Sequence, residues 1–350
     1  MAGIEIRDYH GDFADLAEFG RRVWIDEYGG KTWFPIPAAA FMRWRVSPES
    51  GGRTLVAYQG AKLVGTVFLF PQSLRVGGTV FPVAICTGFS VDPEYRGAAL
   101  PLIQRLRRDI EDQGFAFAIG TVLDDPTSAS YRFWTKYATT YPRNFKLVFR
   151  TGYWAKFLET RALARAGVGA WERMANRIFG PVLRFTPHKY DPHVRLYRAG
   201  DLGRCAQILA KTTAGFDWAM DWQPAQLESQ LVSSVFQTLV FERDGEIKGM
   251  VNCHATTMHG RETVNAAFLD LWAEDGLSGA ERVRLVSHLC THLAAQDVHA
   301  LVAPRSTVMP TAAFLANLFI PAPQRFQIGV FPTPRSGQLA PPTRWDLTIM

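Results

Sequence analysis

The stretch SVDPEYRGAALPLIQRLRRDI (90–110) places an arginine, a glycine and two alanines just ahead of a run with helical periodicity. Leu100, Ile103, Leu106 and Ile110 recur at three- and four-residue spacing, which predicts a helix over 98–113. The first turn of such a helix has backbone N–H groups with no internal partner. Together with the helix dipole they suit a phosphate or pyrophosphate. Small side chains at Gly97, Ala98 and Ala99 permit close approach, the run continues into Leu100, and Arg96 is placed for a charge-assisted contact. Pro101 fits a first helical turn but has no N–H to give. The same residues also read as a Pro-Glu-Tyr turn entering a core helix.

Three further groups have the right residue types for chemistry. Asp124 and Asp125 close an apolar run, FAFAIGTVL (115–123), and precede SASYRFWTKYA with Tyr131 and Tyr137. A carboxylate there can accept a proton or order a water. Within LDDPTSAS it serves equally as a helix cap, with Asp125 or Thr127 capping. In WIDEYGGKTWFPI (24–36), Asp26 and Glu27 suit a cationic amine while Trp24, Tyr28, Trp33 and Phe34 suit a pocket wall; a solvated helix end explains the two acids as well. His288 and His292 sit at i, i+4, a spacing that can bind zinc, but Leu-Cys-Thr lies between them and no metalloprotease Glu. Helix-surface histidines are the simpler account, and no metal is expected. No GxSxG, Walker loop, GxGxxG or EF-hand pattern occurs, and no basic run interleaved with aromatics marks a nucleic-acid face.

The elements that must hold these residues follow one plan twice. TLVAYQGAKLVGTVFLFPQ (54–72) and TLVFERDGEIKGMVNCHAT (238–256) alternate like strand pairs around Gln59-Gly60 and Asp244-Gly245. Each leads to another strand, FPVAICTGFSV (81–91) or TVNAAFLDLWA (263–273), then to a helix, 98–113 or 280–296. A buried strand follows, 115–123 or 298–304, and then a short helix, 128–138 or 308–319. Helices at 12–24, 201–211 and 223–234 precede the hairpins. The Pro-rich pieces at 321–342 read as loops. A duplicated α/β unit is the simplest account.

A chain of 350 residues is too long for one ordinary core, and 47% hydrophobic with 20% charged residues excludes bulk disorder. No run approaches the ~20 apolar residues of a membrane helix. The opening MAGIEIRDYH has no apolar signal core, and four cysteines at 86, 205, 253 and 290 match no metal or disulfide spacing, so a cytoplasmic protein is expected. The net charge of +6 is concentrated: residues 151–198 hold 9 Lys/Arg against 3 Asp/Glu, while 1–150 hold 18 against 15 and 199–350 hold 11 against 14. The middle segment therefore reads as a connector between units 1–150 and 199–350. Trp154, Phe157, Leu158, Trp171, Met174, Ile178 and Phe179 recur as on one face of an amphipathic helix, with Arg161, Arg165, Arg173 and Arg177 at i, i+4 steps. Such a helix either packs across both units or offers a basic face to an acidic carrier protein, a nucleic acid or an anionic membrane.

With the loop and the repeat in hand, the chain resembles the GNAT superfamily of acyl-CoA-dependent N-acyltransferases, which carries V-x-P-x-x-R-G-x-G-x-G/A between its fourth strand and third helix. Val91, Pro93, Arg96 and Gly97 match; Ala99 and Pro101 stand where the second and third glycines are usual. The resemblance implies an α/β fold of two GNAT-like mixed-sheet domains in tandem, joined by the basic amphipathic helix. It implies acetyl-CoA or another acyl-CoA as co-substrate. The pyrophosphate would lie on Arg96, Gly97, Ala98, Ala99 and Leu100, and the pantetheine arm along Phe89, Ser90 and Val91 between splayed fourth and fifth strands.

It further implies acyl transfer to the amine of a small molecule. Trp24, Asp26, Glu27 and Tyr28 would border the acceptor, Asp124 would act as base, and Tyr131 would stand near the usual position of an acid. The family's strand carboxylate is missing: FPVAICTGFSV offers only Cys86 and Thr87. The second half has Glu274, Asp275 and Glu281 where the anion loop would be, so it is expected not to bind CoA but to support the fold or wall the cleft. Phe68, Phe70, Phe89 and Phe117 suit either an acyl chain longer than acetyl or a plain core. A donor on aminoacyl-tRNA or a carrier-protein thioester, and a non-catalytic acyl-thioester-binding module, are the alternatives.

Overall fold

The computed structural model describes residues 3–36, 38–47, 50–337 and 339–347. The strands are β1 (Ile4–Asp8), β2 (Phe34–Ile36), β3 (Arg53–Gln59), β4 (Lys62–Val76), β5 (Thr79–Val91), β6 (Phe117–Leu123), β7 (Lys146–Phe157), β8 (Val194–Leu196), β9 (Trp218–Met220), β10 (Phe236–Arg243), β11 (Glu246–His259), β12 (Thr263–Glu274), β13 (Ala300–Pro304), β14 (Ile320–Pro332) and β15 (Trp345–Asp346). The helices are α1 (Phe13–Tyr28), α2 (Ala39–Arg45), α3 (Ala99–Asp112), α4 (Ala129–Thr140), α5 (Thr160–Ala166), α6 (Ala170–Leu183), α7 (Leu202–Thr213), α8 (Pro224–Val232), α9 (Gly279–Ala294) and α10 (Thr311–Ala316). A 3₁₀ turn, Pro93–Ala98, leads into α3.

The repeat is present in three dimensions. Strands β1-β3-β4-β5-β6 and β8-β10-β11-β12-β13 lie in the same order in the two halves. In each half the third and fourth strands are antiparallel, while the fourth and fifth are parallel and joined by a helix, α3 or α9. Asp244 and Gly245 both take positive φ at the β10–β11 turn, as a two-residue hairpin requires. Gly77 and Gly78 do the same between β4 and β5.

The halves are not two separate sheets. β7, the last strand of the first half, pairs with β13 of the second. β14, the last strand of the second half, pairs with β6 of the first. The two exchanged strands pair with each other, so the path β6-β14-β7-β13 makes one sheet of fifteen strands among the described residues. The core follows suit: Phe117, Phe149, Trp218 and Trp345 pack in one cluster, although they come from distant parts of the chain.

Two expectations change. The single connector helix is replaced by β7 through Phe157, then α5, then α6. Trp154 and Phe157, three residues apart, fall on opposite faces of β7 and are held by the ladder to β13, so the three-and-four spacing across 154–158 is accidental. The side chain of Trp171 lies outside the described residues. The Pro-rich 321–332 is strand, not loop: β14 has register breaks on its β7 side between Pro321 and Arg325, where prolines lack ladder donors, and pairs regularly with β6 from Phe326 onward.

The exchange predicts that the halves unfold together. Urea melts followed by tryptophan fluorescence and by far-UV circular dichroism should give coincident single transitions, and residues 1–198 expressed alone should lack a cooperative melt. A second prediction concerns Asp346 on β15. Burial pushes its carboxyl up to about 7, from 3.8. Stability from the protonated form is therefore full below the unfolded value and lost as pH rises to about 7. Asp346→Asn should raise the melting temperature at about pH 8, with the gain vanishing near pH 4.

Candidate active site

Parallel pairing of β5 with β6 begins at Val83 opposite Phe117 and ends at Cys86 opposite Gly120. At that point β5 bulges: Thr66 faces Ser90 and Phe68 faces Thr87, so Gly88 and Phe89 together stand opposite Val67. Gly88 takes φ +63°, and a Cβ there would sit 2.6 Å from the Phe68 ring. The bulge turns β5 away from β6 and leaves a peptide unit that the β4 ladder does not pair. A cavity of about 340 Å³ opens in the gap, bordered by Thr87, Gly88 and Phe89 on one side and by Gly120, Thr121 and Val122 on the other.

The cavity continues into the second half, where His254 of β11, Phe268 of β12 and Val302 of β13 line it. Its roof is the segment after α1. β2 crosses over to pair with β11, Phe34 opposite His259, and α2 then lays Phe41 on the His254 ring at 4.6 Å between centroids. The wall is mostly aromatic and aliphatic, with Phe68 and Phe70 stacked along β4 and Trp134 of α4 set edge-on to Phe89. Cys86 borders the space, but burial pushes its thiol up, so it remains protonated and is a poor nucleophile.

Of the residues singled out from sequence, Trp24 and Tyr28 line the cavity. Trp24 donates its indole N–H to Ser90 Oγ at 2.7 Å, tying α1 to the bulge. Tyr28 bonds with Ser130, and burial pushes its phenol up to about 12. Asp26 and Glu27 do not join them. On a helix, positions 24 and 28 share a face and 26 lies opposite; Asp26 is exposed, and Glu27 accepts the Ala129 N–H at the start of α4 at 2.5 Å.

Asp124 accepts from Gln327 Nε2 at 2.6 Å and faces Arg150 at 3.5 Å, so it bonds to the exchanged strands rather than to the cavity. Asp125 accepts from the Thr127 N–H and hydroxyl, and Ser128 caps α4. Tyr131 also falls outside the cavity wall: the α4 residues that reach it are Ser130 and Trp134, one turn apart, and position 131 is rotated away.

Phe89 lines the space, Ser90 is buried beneath Trp24, and Val91 pairs with Gly65. In the loop, Arg96, Gly97 and Leu100 are exposed, whereas Ala98 and Ala99 are buried. The methyl groups of Ala98 and Ala99 therefore face the protein and do not obstruct an approaching phosphate. The Ala99 N–H already bonds Arg96 O, which removes one of the expected donors. Asp92 anchors the loop by accepting the Glu94 N–H and pairing with Arg22 at 3.2 Å and Lys62 at 3.4 Å. Burial opposes its ionisation, but those three partners hold its carboxyl below the usual value.

The corresponding helix start in the second half is closed. Ser278 Oγ accepts the Glu281 N–H and Glu281 accepts the Ser278 N–H at 2.7 Å, a capping box, while α3 has no side-chain cap. Glu274 pairs with Arg282, and Asp275 with Arg204 and Lys211. His288 and His292 are each engaged locally, with the Asp191 N–H and with Gln296.

Sequence reading missed the polar centre of the cavity. His254 Nδ1 lies 2.8 Å from Asp270 Oδ2, with both side chains buried. Engagement of Nδ1 by Asp270 leaves Nε2 as the other ring nitrogen of a residue that lines the cavity. Arg45 of α2 is buried nearby, over the Phe41, Trp44 and Phe70 rings; burial lowers its pKa to about 10 against the field of Asp270. The available signal was a lone carboxylate inside the apolar run AAFLDLWA, which demands a buried partner.

Comparison with known proteins agrees with this geometry. Residues 12–135 match the family model described as Acetyltransferase (GNAT) domain, a range that contains the bulge, the loop and most of α4. That part of the chain is similar to a GNAT acetyltransferase domain. The tandem GNAT-like fold is shared with yeast (Saccharomyces cerevisiae) N-myristoyltransferase solved with bound myristoyl-CoA, at TM-score 0.75 and 13% identity over 97% of this chain and 84% of that one. A conserved Enterococcus faecalis protein of unknown function, described as a "Probable N-Acyltransferase", is similar at TM-score 0.51 and 11% identity, over 94% and 72% of the two chains. No curated protein matches the sequence.

Gly88 is the position on which the cleft between β5 and β6 turns. Gly88→Val places a β-branched residue at positive φ against Phe68 and should cost about 2 kcal/mol or more. Urea melts should show this loss, and calorimetry should show acyl-CoA binding reduced even at temperatures where the variant stays folded.

Proposed function

We propose that this acyltransferase takes its acyl group from an acyl-CoA whose chain is longer than acetyl and passes it to a slender primary amine. The observation that carries the reading is the single apolar cavity that starts at the β5 bulge and ends at His254. In the proposed division of labour, residues 1–150 hold the donor, residues 199–350 wall the acceptor side, and 151–198 connect them. The pantetheine arm runs along the open side of Phe89, Ser90 and Val91. The diphosphate rests on the exposed loop surface at Arg96 and Gly97, where an uncapped helix start and one guanidinium favour an anion. The thioester oxygen then meets the unpaired backbone of the bulge, whose N–H groups stabilise the charge that develops on it.

His254 removes the proton as the amine attacks the thioester carbon, and Asp270 holds the ring in the required tautomer. The tetrahedral intermediate collapses, the C–S bond breaks, and CoA leaves as its thiol once protonated. Tyr28, a cavity phenol on the same α1 face as Trp24, is held protonated by burial and donates a hydrogen bond to the departing sulfur, while the proton taken up by His254 returns to that sulfur. Direct transfer fits this site better than an acyl-enzyme, because Cys86 is a protonated thiol. About 340 Å³ is small for a ligand site. Once an acyl chain lies in it, only the amine end of the acceptor fits. The reading places the protein in the cytoplasm, in keeping with cysteines that are unpaired.

The test is turnover with acyl-CoAs of increasing length against an amine panel, read by CoA release and product mass. Each buried methylene contributes about 0.8 kcal/mol, so kcat/KM should climb about fourfold per carbon until the cavity is full. His254→Ala should lower kcat by about 10²-fold or more with donor affinity unchanged. Arg96→Glu should do the reverse, weakening donor binding by calorimetry with little change in kcat at saturation. Acetyl-CoA preference would overturn the chain-length reading, and binding without product from any donor would leave a thioester-binding module. Failure of free CoA to compete would point to a tRNA or carrier-protein donor.

A further inference from the structure

The connector helix α6 is apolar on the side that faces out. Met174, Ile178 and Val182 are 55%, 60% and 61% exposed, and Phe179 and Phe185 beside them are 53% and 58% exposed. On a helical wheel Met174 and Val182 lie about 40° either side of Ile178, one continuous stripe along the helix. An outward apolar stripe is the reverse of what a soluble protein presents.

The packing fixes this orientation. On the opposite face, Asn176 is buried and Gly180 sits against Thr160 of α5, where a Cβ would approach to 2.7 Å. Lys156 of β7 donates to the carbonyls of Leu183 and Phe185 at 2.7 and 2.6 Å, pinning the far end of the helix. At the near end Glu172 accepts the Trp33 indole N–H at 2.6 Å. The helix cannot roll its apolar side inward without breaking these bonds.

Among residues 151–198 the free exposed charge is mostly of one sign. The three acids of residues 151–198 are all spent inside the protein. Glu159 caps α5, Glu172 serves Trp33 and the start of α6, and Asp191 is buried with His193 and Arg284. Exposed cations remain: Arg177 flanking the stripe, Arg184 at the helix end, and Lys189 beyond it. Apolar residues in the middle with arginines at the edges match a helix lying in the plane of an anionic bilayer, where aliphatic groups enter the acyl region and guanidinium groups reach lipid phosphates. No helix among the described residues is long and apolar enough to span a membrane, so contact would be peripheral. The inner face of α6 meanwhile lines the cavity through Glu172 and Asn176. One helix thus has the acyl-sized cavity on one side and the apolar stripe on the other.

We propose that α6 docks the protein on anionic membrane surfaces, bringing the cavity to the interface where acyl chains partition. Flotation of the full chain with phosphatidylglycerol-containing vesicles, and with pure phosphatidylcholine vesicles as control, tests it. Binding to the anionic vesicles only, weakened by salt, is expected. Ile178→Glu with Val182→Glu should reduce it about tenfold or more, with an unchanged circular-dichroism melt. Should that variant melt early, Arg177→Glu with Arg184→Glu provides the reading, again expected to reduce binding. Absence of binding by the parent protein overturns the proposal, as does equal binding by the folded variants. A concentration-dependent dimer in sedimentation velocity that Ile178→Glu with Val182→Glu abolishes, without vesicle binding, overturns it in favour of a second copy on the stripe. Acyl transfer need not be active for any of these readings.

Discussion

Strands β6 and β13 are each the fifth of their half, and each needs a neighbour on the side away from its parallel partner. The exchange of β7 and β14 supplies it. A strand edge left open at the centre of the molecule would expose unpaired N–H and C=O groups next to an apolar cavity, where no water compensates them. Mutual pairing of the exchanged strands closes both edges at once. It also makes the halves inseparable, because each contains the other's last strand. The cavity inherits its shape from this arrangement: its floor is contributed by β7 and β14, between the β5–β6 gap and a polar end on β11–β12.

Enclosure explains why so few polar groups suffice. Arg45, Asp270 and His254 are buried together, and a carboxylate in such a place would not stay ionised alone. Asp270 is engaged by the His254 ring at 2.8 Å, and its field offsets part of the cost of burying the Arg45 guanidinium. Phe41 stacking on the imidazole excludes water and fixes the ring plane. Hydrogen bonds in this low-dielectric setting are stronger than they would be in solution, which fixes the orientation of the His254 ring.

Much of this was legible in the residue order. The two hairpins, the strands after them and the α3 and α9 helices follow from period-two and three-and-four spacing that nothing in the tertiary structure opposes. The 91–97 loop was legible for the same reason: a local turn writes itself in local residues. Three things were not. The exchange of β7 and β14 leaves no local mark, since a strand's pattern does not name its partner. Asp124 and Tyr131 looked catalytic because proximity along the chain was taken for orientation; the one is claimed by Gln327, more than two hundred residues away, and the other faces off the cavity by one helical step. His254 and Asp270 lie on different strands of the half without a motif, and become a pair only through the β11–β12 register.

The duplicated plan shows how the halves came to do different things at equivalent places. Position nine of β4 is Phe70, and position nine of β11 is His254. β12 bulges as β5 does, since Asn252 faces Leu271 while Cys253 faces Leu269, and the extra residue is Asp270. In the first half the bulge carries glycine and offers backbone to a ligand. In the second it carries a carboxylate and offers it to histidine. The helix starts diverge in step: α3 continues from a 3₁₀ turn and has no side-chain cap of its own, whereas the Ser278–Glu281 box closes the start of α9. The glycine bulge and the carboxylate bulge thus stand in different halves, the first at one end of the shared cavity and His254, the partner of Asp270, at the other.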